Sequence, residues 1–276
     1  MRLKFLFLVP LVFLAACAAT PPPKKACPPP PLAKAVMADS RTAENTQRDM
    51  YRKPYRTLRF FGIKPDMNVV EIWPGRGWYT EILAPYLKDS GTYIAAGFNK
   101  DSHIAYYRKL AAEFEQKIFS QPELYGEAML TELEPPEHMT IAPAESADMV
   151  LTFRNVHNWM RNGYTDDVYK AMYDALKPGG VLGVVEHRLP EDREQDPRAL
   201  NGYVKESVVI DQAENAGFKL VARSEHLANP ADTADHPEGV WSLTPTLRNV
   251  PEEDKQKYKA IGESDRMALK FVKPAN

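Results

Sequence analysis

The sequence is poor in cysteine and carries no excess of either charge. Its 276 residues include only two cysteines, Cys17 and Cys27, so at most one disulfide can form. The formal net charge is −2. The chain therefore lacks the excess of positive charge that binds DNA or RNA, which argues against a nucleic-acid partner. Hydrolase signatures such as Gly-x-Ser-x-Gly and His-Glu-x-x-His are also absent.

The first 16 residues are typical of a secretory signal peptide. A basic start precedes an apolar stretch from Leu6 to Leu14, which is too short to span a bilayer stably. The string Leu14-Ala15-Ala16-Cys17 resembles a bacterial lipobox. This resemblance implies lipidation of Cys17, a membrane as partner, and a periplasm-facing location in the cell envelope.

Residues 17–37 are predicted to form a tether between the lipid and the folded domain. Seven prolines lie between Thr20 and Leu32, and a proline-rich chain is extended and semi-rigid. If Cys17 is lipidated, Cys27 has no partner for an internal disulfide. The remaining residues, 38–276, have an ordinary globular composition and are predicted to form one domain.

The stretch from Asn68 to Leu83 predicts the first strand, turn and helix of an open α/β sheet. Its β-branched apolar run ends in a turn that contains Gly75 and Gly77, and helix-spaced apolar residues follow. Glycines without a Cβ let the backbone approach a ligand closely, at the edge where such sheets bind nucleotide-like molecules.

The string Val69-Val70-Glu71-Ile72-x-x-Gly75-x-Gly77 resembles the first motif of class I S-adenosylmethionine-dependent methyltransferases. Its extension through Pro85 resembles a bacterial envelope group of predicted methyltransferases. The resemblance implies a single Rossmann-like domain, with a seven-stranded, mostly parallel sheet and helices on both faces, and S-adenosylmethionine as cofactor. It implies that the cofactor site is formed by Glu71, Trp73, Gly75, Gly77 and Tyr79. The family usually has glycine where Trp73 stands.

The second strand, predicted over Thr92 to Ala96, ends without the acidic residue that the family uses to bind the ribose hydroxyls. Asn99 is the polar residue nearest that position and is the predicted cofactor-binding residue there, with one hydrogen bond to the ribose. Replacing a charged acceptor by an amide forfeits roughly 1–2 kcal/mol of ribose affinity. A third strand is predicted within Glu127 to Leu133.

Polar and aromatic residues follow the predicted fourth strand, Asp148 to Phe153. Arg154, Asn155 and His157 leave its carboxyl end, where α/β enzymes keep their chemistry, and they resemble the envelope group's Phe-Arg-Asn-x-His string. The resemblance to methyltransferases implies that Asn155 and His157 orient the acceptor or take its proton. Glu186, after a fifth strand over residues 181–185, is a second candidate base.

His157, Glu186 and His187 are expected to meet if the fourth and fifth strands are neighbours. Two imidazoles and a carboxylate could bind a metal ion. No closely spaced ligand motif supports such a site, so no metal is predicted.

Two further segments are expected to border the crevice. Apolar and aromatic spacing from Asp39 to Phe61 predicts a helix that is kinked at Pro54. The resemblance to methyltransferases implies that this segment covers the ligand crevice, and the alternative is a helix that packs against the sheet edge. The polar stretch from Glu186 to Asn201 predicts a loop that serves as a lid or rim.

Three functions remain open at this point. The first is a methyltransferase that acts on an unidentified small molecule. The second is a non-catalytic ligand-binding lipoprotein on the same fold, favoured by the missing ribose acid and by a compartment where S-adenosylmethionine is not expected to be plentiful. The third and weakest is a nicotinamide oxidoreductase, whose fingerprint requires a small residue where Thr80 stands and an acid after the second strand.

Overall fold

Eight β-strands form one sheet in the computed structural model, which describes residues 31–275. In chain order, strands β1 to β8 cover Asn68–Ile72, Thr92–Gly97, Met129–Glu132, Ala147–Phe153, Leu176–Leu189, Val204–Lys205, Lys219–Ser224 and Arg266–Val272. The strand order is β3-β2-β1-β4-β5-β8-β7, with the two-residue β6 paired to β5. This arrangement confirms the predicted seven-stranded sheet and adds one short strand.

The sheet is parallel apart from one strand. Strands β1 to β5 pair in parallel, whereas β8 pairs antiparallel with both β5 and β7. The chain order reverses between β1 and β4, which are adjacent in space. In open α/β sheets such a reversal opens a crevice at the carboxyl ends of the strands.

Helices and loops cover both faces of the sheet. Helices α1 to α11 cover Pro31–Val36, Ala43–Thr46, Asp49–Arg52, Pro54–Phe61, Thr80–Leu87, Ala105–Phe119, Pro122–Tyr125, Val156–Asn162, Thr165–Ala175, Glu206–Asn215 and Lys255–Ile261. Neighbouring strand residues point to opposite faces, so Val70 and Val184 belong to one apolar core while Val69 and Val185 belong to another. No helix within residues 31–275 is long and apolar enough to cross a membrane.

The N-terminal helical region differs from the single kinked helix that was predicted. Lys53 adopts a left-handed conformation with φ of 42°, so α3 ends at Arg52 and α4 begins at Pro54. Proline suits the first position of a helix because its missing N–H is not needed there. Pro54 therefore begins helix α4 and does not kink a longer helix.

Helix α1 lies in a segment that was assigned to the tether. Its Leu32 and Ala35 are buried in the same core cluster as residues of α5. The folded domain therefore includes Leu32 and Ala35, which lie within residues 17–37 of the predicted tether. The predicted signal peptide, Cys17 and Cys27 lie outside the described residues.

Strand β5 is longer than predicted. It continues through Leu189, so Glu186 and His187 are buried strand residues and do not begin an exposed loop. Antiparallel pairing with β8 extends to the His187–Arg266 pair and accounts for the extension. The polar residues that follow β5 therefore begin farther along the chain.

Replacement of Gly183 by alanine tests the packing of β5. An added Cβ would lie 2.6 Å from Leu151 Cδ2 and 2.8 Å from the Phe61 ring. We expect Gly183→Ala to lower the free energy of unfolding by about 1–3 kcal/mol, because both neighbours must shift. Gly97→Ala is the matched control, since the nearest atom to its added Cβ is 4.0 Å away. Urea denaturation measures both, and equal stabilities would contradict the packing described here.

Candidate functional site

Glu71 is buried at the end of β1, and its carboxyl group is bonded to other residues of the protein. Its Oε2 accepts hydrogen bonds from the Tyr93 hydroxyl at 2.6 Å and the Thr80 hydroxyl at 3.1 Å. Burial raises the pKa of Glu71 to about 7, although both hydrogen bonds oppose the increase. The side chain therefore ties β1 to β2 and to the start of α5.

The two glycines of the turn serve different purposes. Gly75 has φ of 62°, and an added Cβ there would meet no atom within 4 Å, so its backbone borders open space. Gly77 has φ of 77°, and an added Cβ would lie 3.2 Å from the Phe114 ring. Only Gly75 is therefore open to a ligand, whereas Gly77 packs the turn against α6.

Trp73 fills part of the predicted crevice. Its Nε1 donates a hydrogen bond of 2.8 Å to the carbonyl oxygen of Leu133, and its ring lies 4.8 Å from the Phe98 ring and 6.2 Å from that of Trp159. Phe98 follows β2 and Leu133 follows β3. The indole therefore covers the carboxyl ends of these two strands, and only 6% of Trp73 is exposed.

The two predicted asparagines are bonded to the protein itself. Asn99 Nδ2 lies 2.7 Å from His138 Nε2, and Asn99 Oδ1 accepts from the Asp101 N–H at 2.6 Å. Asn155 Nδ2 donates to the Ile72 carbonyl oxygen at 2.9 Å. Asn99 thus fixes the loop after β2, and Asn155 joins the end of β4 to the end of β1.

His157 and Glu186 form a buried pair at the carboxyl edge of the sheet. His157 Nδ1 lies 3.1 Å from Glu186 Oε1, which also accepts from the His187 backbone N–H at 2.8 Å. The carboxylate oxygen accepts, so Nδ1 of His157 donates. In a neutral imidazole this arrangement leaves Nε2 as a proton acceptor, which is the form that a general base requires.

His187 completes a group of three possible metal ligands. One ligand atom from each of His157, Glu186 and His187 lies within 4.8 Å of the others, and all three residues are buried. However, burial and then the charges of Arg266, His157, Arg154 and Arg52 lower the pKa of His187. The same positive charges oppose a further cation, so the surroundings disfavour a metal ion.

Arginines on β8 and the helices before β1 converge on Glu263. Arg48 Nε lies 2.5 Å from Glu263 Oε1 and Arg52 Nε lies 3.8 Å from Oε2, while Arg266 forms an ion pair with the same carboxylate. Burial opposes ionisation of Glu263, yet Arg266, Arg48 and Arg52 lower its pKa to about 2. The sequence shows only the local spacings, with Arg48 and Arg52 four residues apart. It does not show that these residues meet Glu263.

Tyr79 borders these arginines from the glycine turn. Its ring stacks on Phe153 with 3.6 Å between ring centroids and 10° between planes. Burial raises the pKa of Tyr79 to about 12. Among the predicted cofactor residues, Tyr79 therefore lies with the arginines, on the opposite core face from Trp73.

The architecture is similar to that of solved S-adenosylmethionine-dependent methyltransferases. One from Aquifex aeolicus has a TM-score of 0.55 at 13% identity, over 82% of this chain and 93% of that one. Phosphoethanolamine N-methyltransferase 2 from Haemonchus contortus, in complex with S-adenosyl-L-methionine, has a TM-score of 0.54 at 14% identity. The match covers 81% of this chain and 53% of that one. The chain has a class I methyltransferase fold.

A methyltransferase fold does not by itself fix the reaction. The [4+2]-cyclase SpnF is equally similar, with a TM-score of 0.55 at 13% identity over 89% of this chain and 92% of its own. No protein-family model and no curated protein sequence matches the chain. The residues at the carboxyl edge of the sheet must therefore carry any argument about function.

Glu71→Gln tests the buried carboxyl group of the methyltransferase fold. The pKa of Glu71 is about 7, above the ordinary value of 4.5. Its contribution to stability is complete below about pH 4.5 and is lost as the pH rises through 7, because the folded chain holds the proton longer than the unfolded chain. The lost contribution is up to about 3 kcal/mol.

We therefore expect the wild type to lose more stability than Glu71→Gln between pH 5 and pH 8. Urea denaturation at both pH values measures the difference. Glu137→Gln, on an exposed residue, is the control and is expected to follow the wild type. Parallel pH profiles for the wild type and Glu71→Gln would contradict the raised pKa.

Proposed function

We propose that this chain is an S-adenosylmethionine-dependent methyltransferase that acts on an unidentified small-molecule acceptor, with His157 as general base. The observation that carries the proposal is the buried contact of 3.1 Å between His157 and Glu186, at the carboxyl edge of the sheet. The fold shared with S-adenosylmethionine-dependent methyltransferases supports the proposal. The lipobox-like string at Cys17 supports anchoring in the bacterial cell envelope.

The protein's own residues supply alignment and proton removal. S-adenosylmethionine, when bound, supplies an electrophilic methyl group. Glu186 holds the imidazole of His157 through Nδ1, so that Nε2 is available for the acceptor's proton. Asn155 acts as a positioning residue, because its bond to the Ile72 carbonyl oxygen keeps the ends of β1 and β4 together.

The residues present leave room for an adenosyl ligand beside Gly75, but not over the ends of β2 and β3. Gly75 borders open space, but the Trp73 indole covers the ends of β2 and β3. Asn99 already bonds to His138 and Asp101. An adenosyl group can lie over β2 and β3 only if the indole leaves the Leu133 carbonyl oxygen.

The filled crevice favours a second candidate, a non-catalytic ligand-binding protein on the same fold. In that case Trp73 is a permanent part of the core. The Arg154–His157 segment then recognises a ligand without transferring a group. The two candidates differ in whether the wild-type chain binds an adenosyl compound.

Calorimetric titration of the full chain with S-adenosylhomocysteine distinguishes the two candidates. If the proposal is correct, the wild type binds, and Trp73→Gly binds about tenfold more tightly. The variant need not break the indole's hydrogen bond and aromatic contacts, which together stabilise by about 1–2 kcal/mol. Glycine also suits the φ of 45° at this position.

Trp73→Phe is the matched control for the filled crevice. It keeps an aromatic ring against Phe98 but removes the donor to Leu133. Its affinity for S-adenosylhomocysteine is therefore expected to be closer to that of the wild type than to that of Trp73→Gly. Binding by Trp73→Gly with none by the wild type at millimolar ligand would favour the non-catalytic candidate. If the wild type, Trp73→Gly and Trp73→Phe all fold but give no binding heat, the adenosyl cofactor is excluded.

Variants of the buried pair test the general base. With methyl-labelled S-adenosylmethionine and a small-molecule extract of a bacterial envelope, we expect His157→Gln to lower the rate of label transfer about 10²–10⁴-fold. Binding of S-adenosylhomocysteine is expected to stay unchanged. Glu186→Gln is expected to have a smaller effect, because the amide oxygen can still accept from Nδ1.

His103→Gln is the control for these variants, since the side chain of His103 is 89% exposed. Its rate is expected to equal that of the wild type. A wild-type rate in His157→Gln would remove the base role and leave the fold's activity unassigned.

A further inference from the structure

A small hollow lies beside the His157–Glu186 pair, on the other face of the sheet edge. It is bordered by Arg52, Tyr79, Phe153, Arg154, Val185, Leu227 and Arg266. The hollow has a cavity volume of about 10 Å³, which is room for one water-sized group. It is therefore a place for one chemical group of a ligand and not for a whole ligand.

Positive charge is in excess around this hollow. Arg52, Arg154 and Arg266 border it, and Arg48 contacts the same Glu263 carboxylate as Arg52 and Arg266. Four guanidinium groups thus face two carboxylates, those of Glu263 and Glu186. Buried charges normally have partners of the opposite sign, and two positive charges remain unbalanced here.

Two of these arginines also have buried nitrogens without partners. Within the described residues, Arg52 Nε and Arg266 Nε have no hydrogen-bond partner, and the two residues are 4% and 3% exposed. Leaving a buried charged donor unsatisfied is costly. An anion beside these guanidinium groups would balance part of their charge.

The third arginine connects the hollow to solvent. Arg154 follows β4 with φ of 64°, and its side chain is half-buried, unlike those of Arg52 and Arg266. Burial, and next to it repulsion by the charge of Arg266, lowers the pKa of Arg154 to about 10. Because Arg154 is the least buried of the three arginines, its side chain is the one that can move to enlarge the hollow for a group bigger than water.

We propose that Arg52, Arg154 and Arg266 bind an oxyanion, the phosphate or carboxylate group of the small-molecule acceptor. Guanidinium groups match the geometry of such oxyanions with paired N–H donors. The rings of Tyr79 and Phe153, which stack on each other, also border the hollow. That the oxyanion belongs to a methyl acceptor rests on the proposed methyltransferase function, whereas oxyanion binding itself does not.

The position of the arginines connects anion binding to the candidate base. Arg266 is paired across the strands with His187, and Glu186, next to His187 in β5, bonds to His157. Arg154 precedes His157 by three residues. The arginines that would hold the anion therefore lie at the same edge of the sheet as His157.

Titration of the full chain with sodium phosphate and with sodium acetate tests the proposal. Each is compared with sodium chloride at the same ionic strength, by calorimetry and by the unfolding temperature. We expect saturable heat and a raised unfolding temperature with phosphate, acetate or both. Arg154→Gln is expected to weaken this binding about tenfold or more, because it removes a charged pair of donors.

Two further variants make the result decisive. Arg52→Gln should weaken binding as Arg154→Gln does, which covers the case where one variant fails to fold. Arg223→Gln is the control, because Arg223 is 57% exposed and pairs with Glu206 away from the hollow, and it should bind as the wild type does. No response of the folded wild type beyond that to chloride would overturn the proposal.

Competition identifies which molecule supplies the anion. Phosphate that binds together with S-adenosylhomocysteine supports the acceptor. Mutual exclusion would assign the arginines to the carboxylate of S-adenosylhomocysteine and overturn the acceptor assignment. Phosphate binding without S-adenosylhomocysteine binding would support the oxyanion site while the methyltransferase proposal fails, so the two proposals can fail separately.

Discussion

The parallel pairing of β1 with β4 places the glycine turn and the His157 segment at the same edge of the sheet. Ile72 is opposite Thr152, so both strands end at the same edge and their following turns leave side by side. A slip of two residues would displace one turn by about 6–7 Å. Asn155 reinforces this register by bonding to the Ile72 carbonyl oxygen. Backbone pairing therefore brings the glycine turn and the His157 segment side by side, and the Asn155 contact holds them there.

The charged residues at this edge form a buried network around Glu263. Replacing a buried ion network by apolar residues of similar size is often neutral or stabilising, and Glu263 balances only part of the charge of its three arginines. Trp73, by contrast, buries an indole between Phe98 and Trp159 with its N–H satisfied. One side of the edge is thus packed like a core, while the other keeps unsatisfied donors.

Much of the fold could be predicted from the sequence, because buried strands are short apolar runs bounded by turn residues. The runs that became β1, β2 and β4 have this form, and β3 lies within its predicted range. Long-range contacts could not be predicted. The sequence marks Trp73 as an unusual residue in a glycine turn, but it does not show that the indole points toward Leu133. Likewise, the burial of Glu186 depends on pairing between β5 and β8.

The two outer strands of the sheet affect how copies of the domain behave when crowded together. An open strand edge can recruit the edge of another molecule and begin aggregation. Strand β3 offers only four residues for such pairing, and β7 carries Lys219 and Arg223. Short length on one side and like charges on the other both discourage end-to-end sheet growth. These edges therefore discourage pairing between neighbouring copies even at high concentration.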